Sequence, residues 1–421
     1  MTAILRGKEN KPGGTKSLLK IAFRNIWRNK RRTGFCFSSV GITVLIMVVN
    51  TGLNDGMYRC IYDTVQVYHE GHVKVVSALY EADNELLPVQ YPVADGKSWK
   101  ELAASIRNIP GVRTVLPRIS SRATLQESTI KHAILWGLDI PGEMQANHFN
   151  LADRSDGLCE GRWPDPGANE CAVGIVFAKK SGLGIGDYIP LKTVSAQFSD
   201  KMWNPVITGI FDFDYFIFDE QYIVVDFERL GRLLVLDEGT QSLMIFADDE
   251  GQSGIIASAV QNLLGREDVV SDWNESYAVA QTRAEGPIYL IAFLSVLIVA
   301  SFIIINTVIM IIHERIREIG IMGSLGMTRG EIVKVFFFES VFMAALGAFI
   351  GAALGGLLTA ILARFPVRFG NFDSMSNTVF FQFSVVRMMQ VWFMAVVTTS
   401  LCTLIPSIKS AFVEPVEALR K

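Results

Sequence analysis

The sequence predicts a polytopic α-helical membrane protein with four transmembrane helices and a large α+β extracytoplasmic domain inserted between helices 1 and 2. Of the 421 residues, 50% are hydrophobic and only 19% are charged, whereas soluble domains are about 25% charged. Four windows without charged residues are each long enough to cross roughly 30 Å of hydrocarbon as a helix. The alternative is a large soluble protein with four buried core helices, but uncharged core helices of this length are rare.

The charge-free windows divide the chain into successive segments. They are a cytoplasmic amphipathic segment (1–32), transmembrane helix 1 (33–54), the extracytoplasmic domain (55–285), transmembrane helix 2 (286–312), a cytoplasmic coupling loop (313–339), transmembrane helix 3 (340–363), an extracytoplasmic loop (364–387), transmembrane helix 4 (388–408) and a cytoplasmic tail (409–421). The first helix follows a long polar stretch and lacks a small-residue cleavage site before Asp55. These features argue against a cleavable signal peptide.

Orientation follows from the distribution of Lys and Arg. Residues 1–32 contain ten basic residues and one acidic residue, whereas residues 55–285 contain 19 basic and 34 acidic residues, a net charge of −15. Basic flanks stay in the cytoplasm, so we expect both termini to be cytoplasmic and the acidic domain to lie outside. The overall net charge of −3 argues against a nucleic-acid partner.

The domain at residues 55–285 mixes strand and helix patterns. The strand patterns are at 72–76, 189–194, 206–211 and 222–225, and the helix patterns are at 98–109, 170–180 and 226–235. The runs at 206–211 and 222–225 are continuously apolar, which is typical of strands buried on both faces. We therefore predict an α+β domain, with a strand order that the patterns do not determine.

No motif in this domain predicts catalysis, a metal or a bound nucleotide. The glycine cluster at 182–187 lacks a following Lys-Ser/Thr and predicts a turn rather than a phosphate-binding loop. His69 and His72 are one residue too close for a zinc-protease motif, and in a strand they would face opposite sides. Five scattered cysteines predict neither a disulfide scaffold nor a zinc site. We expect this chain to be no enzyme and to bind no cofactor or metal.

Four acidic residues lie within an aromatic run, at Asp212, Asp214, Asp219 and Glu220. An acid/base pair or a calcium site is one interpretation of this cluster. The favoured interpretation is a solvated turn beside an aromatic cluster.

Three glycines recur every four residues in the third membrane window, at Gly347, Gly351 and Gly355. They form two successive GxxxG units on one helical face, where a second helix can approach closely. The pattern predicts helix packing within or between subunits; direct contact with a substrate is the alternative.

The cytoplasmic loop at 313–339 is several times longer than a connection between antiparallel helices requires. Its charges alternate in sign at the start, and small and apolar residues follow. This pattern predicts a short amphipathic helix that docks a soluble partner. The candidate docking residues are Arg315, Arg317, Glu318, Gly320, Leu325 and Gly326.

Several motifs along the chain match a known family of membrane proteins. They are Glu314-Arg315-x-Arg317-Glu318-Ile319-Gly320-Ile321, Leu325-Gly326, Glu331-Ile332, Phe338-Glu339, the amphipathic start at 21–33 and the carboxy-terminal 415–420. Together they resemble the FtsX-like permease domain of MacB-type ABC transporters. The order of one crossing, a large domain and three crossings is also similar to that family. The strand at 71–75 and the patterns at 178–187 and 206–211 resemble the lipoprotein-releasing LolC/LolE branch, although the hairpin at 195–205 is short for that branch's carrier-recruiting hook.

The resemblance implies a permease subunit of the bacterial inner membrane without its own ATPase. It implies a dimer of separate ABC ATPase subunits that bind ATP and Mg, and a second permease copy or paralogue. Lipoprotein release implies an acylated lipoprotein and a periplasmic carrier as further partners, together with membrane lipid. The alternatives are a MacB-like export permease with a periplasmic adaptor and an FtsX-like regulator of cell-wall hydrolases.

Overall fold

The computed structural model describes residues 30–82, 87–96, 98–125, 130–236, 238–265, 267–314, 321, 327–369 and 376–410. The chain divides into two compact units. The membrane unit comprises Met1–Gly56, Glu285–Phe365 and Phe381–Lys421, and the inserted domain comprises Met57–Ala284 and Pro366–Phe380.

The secondary structure alternates between long helices and a strand-rich insertion. The helices are α1 (Lys30–Thr64), α2 (Ala78–Ala82), α3 (Trp99–Arg107), α4 (Ile140–Ala146), α5 (Ile175–Ser181), α6 (Phe216–Gln221), α7 (Phe227–Leu234), α8 (Ser253–Leu264), α9 (Tyr277–Glu314), α10 (Arg329–Leu362) and α11 (Val385–Ser410). The strands are β1 (Val73–Ser77), β2 (Val112–Leu125), β3 (His132–Leu138), β4 (Leu158–Gly161), β5 (Glu170–Gly174), β6 (Leu191–Val194), β7 (Asp200–Trp203), β8 (Val206–Phe211), β9 (Tyr222–Asp226), β10 (Ser242–Ala247), β11 (Asp268–Asp272), β12 (Val367–Arg368) and β13 (Thr378–Val379).

Four of the described helical segments are long and apolar enough to cross a membrane. They are Phe37–Glu70, Tyr277–Val299, Arg329–Leu362 and Val385–Ile405. Helix α1 continues to Thr64, beyond the predicted end of the first crossing at residue 54, and a single π-helical turn (Val65–Glu70) follows it. Helix α9 begins at Tyr277, before the predicted start of the second crossing at 286. The helices therefore extend past their charge-free windows, because a charged residue ends an apolar window without ending a helix.

The start of α10 is fixed by a capping box. The Thr328 hydroxyl accepts a hydrogen bond from the N–H of Glu331, and the Glu331 carboxylate accepts one from the N–H of Thr328. These two bonds satisfy donors that the first turn of a helix leaves unpaired. The third membrane helix thus begins at a defined residue.

The inserted domain is built on a mixed sheet of eleven strands. Its main path runs β11-β1-β10-β2-β3-β9-β5-β8-β4, and a β6–β7 hairpin pairs with the end of β2. The pairs β3–β9 and β5–β8 are parallel, and the other pairs are antiparallel. Separate apolar clusters pack against the sheet and its helices. The predicted α+β class is confirmed.

Two of the predicted local elements are corrected. The segment 170–180, predicted as one helix, is strand β5 followed by helix α5, because Cys171, Ala172 and Val173 are buried inside the sheet. Strand β8 buries alternate residues and is not buried on both faces. The predicted helices at 98–109 and 226–235 are confirmed as α3 and α7.

Candidate functional site

The glycine face of α10 lies against the backbone of α1. A Cβ added at Gly347 would lie 3.2 Å from the carbonyl oxygen of Phe37, and one added at Gly355 would lie 3.0 Å from that of Leu45. A Cβ added at Gly351 would overlap the carbonyl oxygen of Gly41. The absence of a side chain at Gly351 therefore permits a close approach that a larger residue would prevent, and at Gly347 and Gly355 a larger residue would crowd the backbone of α1.

A second close approach lies further along α1, at Gly52. A Cβ there would lie 2.5 Å from Cγ2 of Thr359 on α10 and 3.1 Å from the carbonyl oxygen of Gln382. The N–H of Gln382 donates to the carbonyl oxygen of Gly52 at 2.9 Å. Asp55 and Arg387 form an ion pair at 3.2 Å, which joins α1 to the first turn of α11. Three of the four membrane helices are thus connected along α1.

The π-helical turn after α1 is tied to the sheet by Arg118. Its guanidinium donates to the carbonyl oxygens of Val67 at 2.8 Å and Tyr68 at 3.1 Å. The same guanidinium forms two hydrogen bonds with the Glu143 carboxylate, at 2.6 and 2.9 Å. Both ionic side chains are buried, with 1% exposure for Arg118 and 0% for Glu143. A buried charge pair is tolerated only when its remaining donors are satisfied, and here two backbone carbonyls of the turn satisfy them.

Aromatic side chains surround the same turn. Tyr68 packs against Phe213 and Phe218 with ring centroids at 5.7 and 4.8 Å. Its hydroxyl donates to the carbonyl oxygen of Phe149 and lies 3.2 Å from that of Phe213. The π-helical turn is thus embedded in the core of the inserted domain by both polar and apolar contacts.

The acidic cluster at 212–220 is not a solvated turn. Asp214 and Asp219 are buried, and the Asp219 carboxylate accepts hydrogen bonds from the N–H groups of Phe213 at 2.8 Å and Tyr215 at 3.1 Å. Burial raises the pKa of Asp219 to about 8, although these two N–H donors oppose the shift. The sequence predicted solvated carboxylates because turns are usually exposed. In the structure, aromatic side chains cover the turn and exclude water from Asp214 and Asp219.

The two histidines have separate partners. His69 lies in the π-helical turn, before the predicted strand at 72–76, and its Nε2 is 3.4 Å from the Tyr215 hydroxyl. His72 Nδ1 accepts a hydrogen bond from the N–H of Ala247 at 2.9 Å. Among the described residues, no group of three or more His, Cys, Asp or Glu side chains could hold a metal ion.

The structure describes the helices on either side of the six predicted docking residues but not those residues themselves. Helix α9 ends at Glu314, and α10 begins at Arg329. The six candidate docking residues all lie outside the described residues: Arg315, Arg317, Glu318, Gly320, Leu325 and Gly326. Their role in docking stays a prediction.

Two buried ionisable residues were not selected as functional candidates from the sequence. Glu339 is 5% exposed in α10, and ionisable side chains inside membrane helices are costly and usually functional. Arg118 lies in a strand pattern, where a charged side chain is ordinarily expected to face water. A charged residue flanked by apolar residues on both sides is the signal that could have identified either one.

Comparisons with known proteins agree with this architecture. The family described as FtsX-like permease C-terminal matches residues 290–415. The lipoprotein-releasing system transmembrane protein LolC of Neisseria meningitidis is 22% identical over 342 residues, covering 76% of this chain and 81% of LolC. The chain is thus similar to ABC transporter permeases of the MacB/FtsX type.

Relatives of this permease also occur among archaea. An uncharacterized ABC transporter permease of Methanocaldococcus jannaschii is 25% identical over 369 residues, covering 84% of this chain and 86% of that protein. The periplasmic region of MacB from Actinobacillus actinomycetemcomitans aligns with 50% of the permease and 92% of that structure, with 10% identity and a TM-score of 0.32. A TM-score this low is not evidence of a shared fold.

Proposed function

We propose that this permease is the transmembrane subunit of a transporter that releases lipoproteins from the inner membrane. The observation that carries the proposal is the similarity to LolC, which extends over 81% of the LolC chain and is not limited to the matched FtsX-like segment. In this proposal a separate ABC ATPase dimer hydrolyses ATP with Mg. A second permease copy or paralogue completes the transporter.

The proposed orientation follows from charge. Residues 1–32 carry ten basic residues and the segment 55–285 has a net charge of −15, so we place both termini in the cytoplasm and the inserted domain in the periplasm. The ATPase would then act at the loop between α9 and α10. The lipoprotein and any carrier would meet the permease on the opposite side of the membrane.

The anchoring of α1 supports a mechanical role for the inserted domain. Arg118 joins the backbone of the π-helical turn that follows α1 to strand β2, and the α10 glycines hold α1 against α10. Displacement of α10 by a cytoplasmic ATPase would therefore be passed to α1, and from α1 to the sheet. This path needs no substrate channel through the membrane unit.

The test is to purify the tagged permease in mild detergent and identify every co-purifying chain by mass. We expect an ABC ATPase, a paralogous permease or second copy, and an acylated protein. Depletion of the permease should then leave lipoproteins in the inner membrane. A periplasmic adaptor in place of the acylated protein, with normal lipoprotein sorting after depletion, would replace this proposal with MacB-like export. Co-purification of a cell-wall hydrolase would favour an FtsX-like regulator.

The ATPase docking site is tested separately with Glu318→Lys. A like-charge contact at an interface can cost several kcal/mol, so we expect the variant to lose the co-purifying ATPase while inserting normally into the membrane. If Glu318 is merely solvated, charge reversal costs about 1 kcal/mol or less. Unchanged recovery of the ATPase together with unchanged ATP-driven release would show that the docking assignment is wrong.

A further inference from the structure

The segment that precedes α11 forms part of the inserted domain. Residues Pro366–Phe380 belong to the same compact unit as Met57–Ala284. Within the described part of this segment, Ser376 and Val379 are fully buried and Thr378 is 4% exposed. Residues 376–379, shortly before the start of α11, are therefore packed into the inserted domain.

Hydrogen bonds hold this segment from two directions. The Ser376 hydroxyl donates to Oδ2 of Asp214 at 2.9 Å, and the N–H of Asn377 donates to the carbonyl oxygen of Asp214 at 2.6 Å. From α1, the Thr64 hydroxyl oxygen accepts from the N–H of Ser376 at 3.3 Å. Cys60, one helical turn earlier, has its Sγ 3.6 Å from the carbonyl oxygen of Ser376.

Asp214 is held in its position by hydrogen bonds within the turn that contains it. Its φ is +54°, a left-handed conformation that Asp tolerates better than most residues. The side chain of Asp212 accepts from its N–H at 2.9 Å, and the Asp219 carboxylate fixes the N–H groups of Phe213 and Tyr215 on either side. Strained backbone of this kind persists only where its surroundings determine it completely. The Asp214 side chain is thus a preorganised acceptor for Ser376.

The chain between this anchor and α11 has little slack. Strand β13 ends at Val379 and the N–H of Gln382 donates to Gly52 in the membrane unit, so only residues 380 and 381 separate the two anchored points. Val379 and Gln382 are separated by three Cα-to-Cα steps, which span at most about 11 Å in a fully extended chain. A larger displacement of the start of α11 must therefore either move the inserted domain or break one anchor.

We propose that Asp214 and Ser376 are positioning residues that link α11 to the inserted domain, so that movement of the fourth membrane helix reaches that domain by a route additional to α1. The proposal rests on the proposed mechanical function of the transporter. The buried carboxylate–hydroxyl pair fixes one register of the segment, which an apolar contact alone would leave free to slide.

The first test uses the complete transporter with its ATPase. Ser376→Ala removes the side-chain bond to Asp214, and we expect ATP hydrolysis to be retained while lipoprotein release per ATP falls roughly three- to tenfold. Ser121→Ala is the matched control, because it removes one partner of a buried hydroxyl pair with Thr193 at 2.9 Å, away from the 376–380 segment. Equal release per ATP in the two variants overturns the proposal.

A pair of substitutions at Asp214 separates the side chain from the backbone strain. Asp214→Asn retains an acceptor oxygen and tolerates positive φ, so it should behave like the wild type. Asp214→Gly also tolerates positive φ but has no acceptor, so it should behave like Ser376→Ala. Identical release per ATP in the Asn and Gly variants would contradict the assignment of Asp214.

The second test does not require a transported substrate. With the other four cysteines replaced by alanine, Cys60 reports whether the segment stays in place, because the carbonyl groups of Ser376 and Thr378 face its thiol. We expect Ser376→Ala to increase the rate of maleimide labelling at Cys60 and Ser121→Ala to leave it unchanged. Equal labelling rates overturn the proposal. If the wild-type complex hydrolyses ATP without releasing lipoprotein, the proposed function is wrong. The labelling rates at Cys60 then still test whether Asp214 and Ser376 hold the segment in place.

Discussion

The membrane unit and the inserted domain are stabilised in opposite ways. Helices α1 and α10 meet where side chains are absent, at Gly41, Gly347 and Gly351. The inserted domain holds the end of α1 with bulky aromatic residues and with the buried Arg118–Glu143 pair. In lipid, apolar side chains gain nothing by leaving the solvent, so close backbone packing provides the stabilisation. In water, burial of aromatic surface does so, and the buried charges set the geometry.

Among substitutions that test this difference between the two units, we expect the largest loss of stability at the buried Arg118–Glu143 ion pair of the inserted domain. Arg118→Met leaves the Glu143 carboxylate buried without its cationic partner, with only the Asn147 amide still donating to it at 2.6 Å. We expect a loss of roughly 3–5 kcal/mol in the free energy of unfolding. Thermal unfolding of the full chain in detergent measures the change.

The control for this variant is the double substitution Arg118→Met with Glu143→Met. It removes both charges and should recover much of the lost stability. An exposed pair offers a second control: Arg162→Met, which breaks the Arg162–Glu170 bridge at 2.6 Å, should change the stability far less, because water screens this pair. Equal losses at Arg118 and Arg162 would contradict the assigned importance of burial.

The next effect tests the glycine interface. Gly351→Ala places a methyl group on the backbone of Gly41, and we expect it to cost on the order of 1–3 kcal/mol through overpacking. Gly286→Ala is the matched control, because its Cβ would have no neighbour within 4 Å. The recovery of monodisperse protein after heating in detergent should fall for the first variant only. The same recovery for both would show that α1 and α10 are not in close contact.

A smaller, pH-dependent effect is expected at Asp219. Its pKa is raised from 3.8 to about 8, so the folded state binds its proton more tightly than the unfolded state does. The contribution to stability is therefore fully present below about pH 4 and is lost as the pH rises toward 8. Asp219→Asn should remove this dependence and flatten the change in Tm between pH 6 and pH 8 by roughly 5 °C. Parallel Tm profiles for the variant and the wild type would contradict the buried, proton-binding state of Asp219.

The smallest effect is expected at the start of α10. Thr328→Ala removes the capping box with Glu331 and should cost about 1 kcal/mol, whereas Thr328→Ser retains the hydroxyl and should cost less. Hydrogen exchange at residues 329–332, measured by mass spectrometry, reports the fraying directly. If both variants exchange alike, the cap contributes nothing to the third membrane helix.

The sequence by itself determined the membrane class, the place of the insertion and the α+β character of the inserted domain. These features rest on local properties: the length of apolar runs, the spacing of glycines and the alternation of side chains along a strand. The positions Gly347, Gly351 and Gly355 could be selected for the same reason, since a four-residue spacing places them on one helical face.

The tertiary structure alone decided which residues are buried together. Asp219 lies in a sequence typical of an exposed turn, and Arg118 lies in an ordinary strand, yet both are buried because distant segments cover them. Ser376 meets Asp214 across 162 positions of sequence, and Arg118 meets the carbonyl group of Val67 across 51. Contacts over such separations depend on how the sheet and helices assemble, and a local pattern of residues carries no information about that assembly.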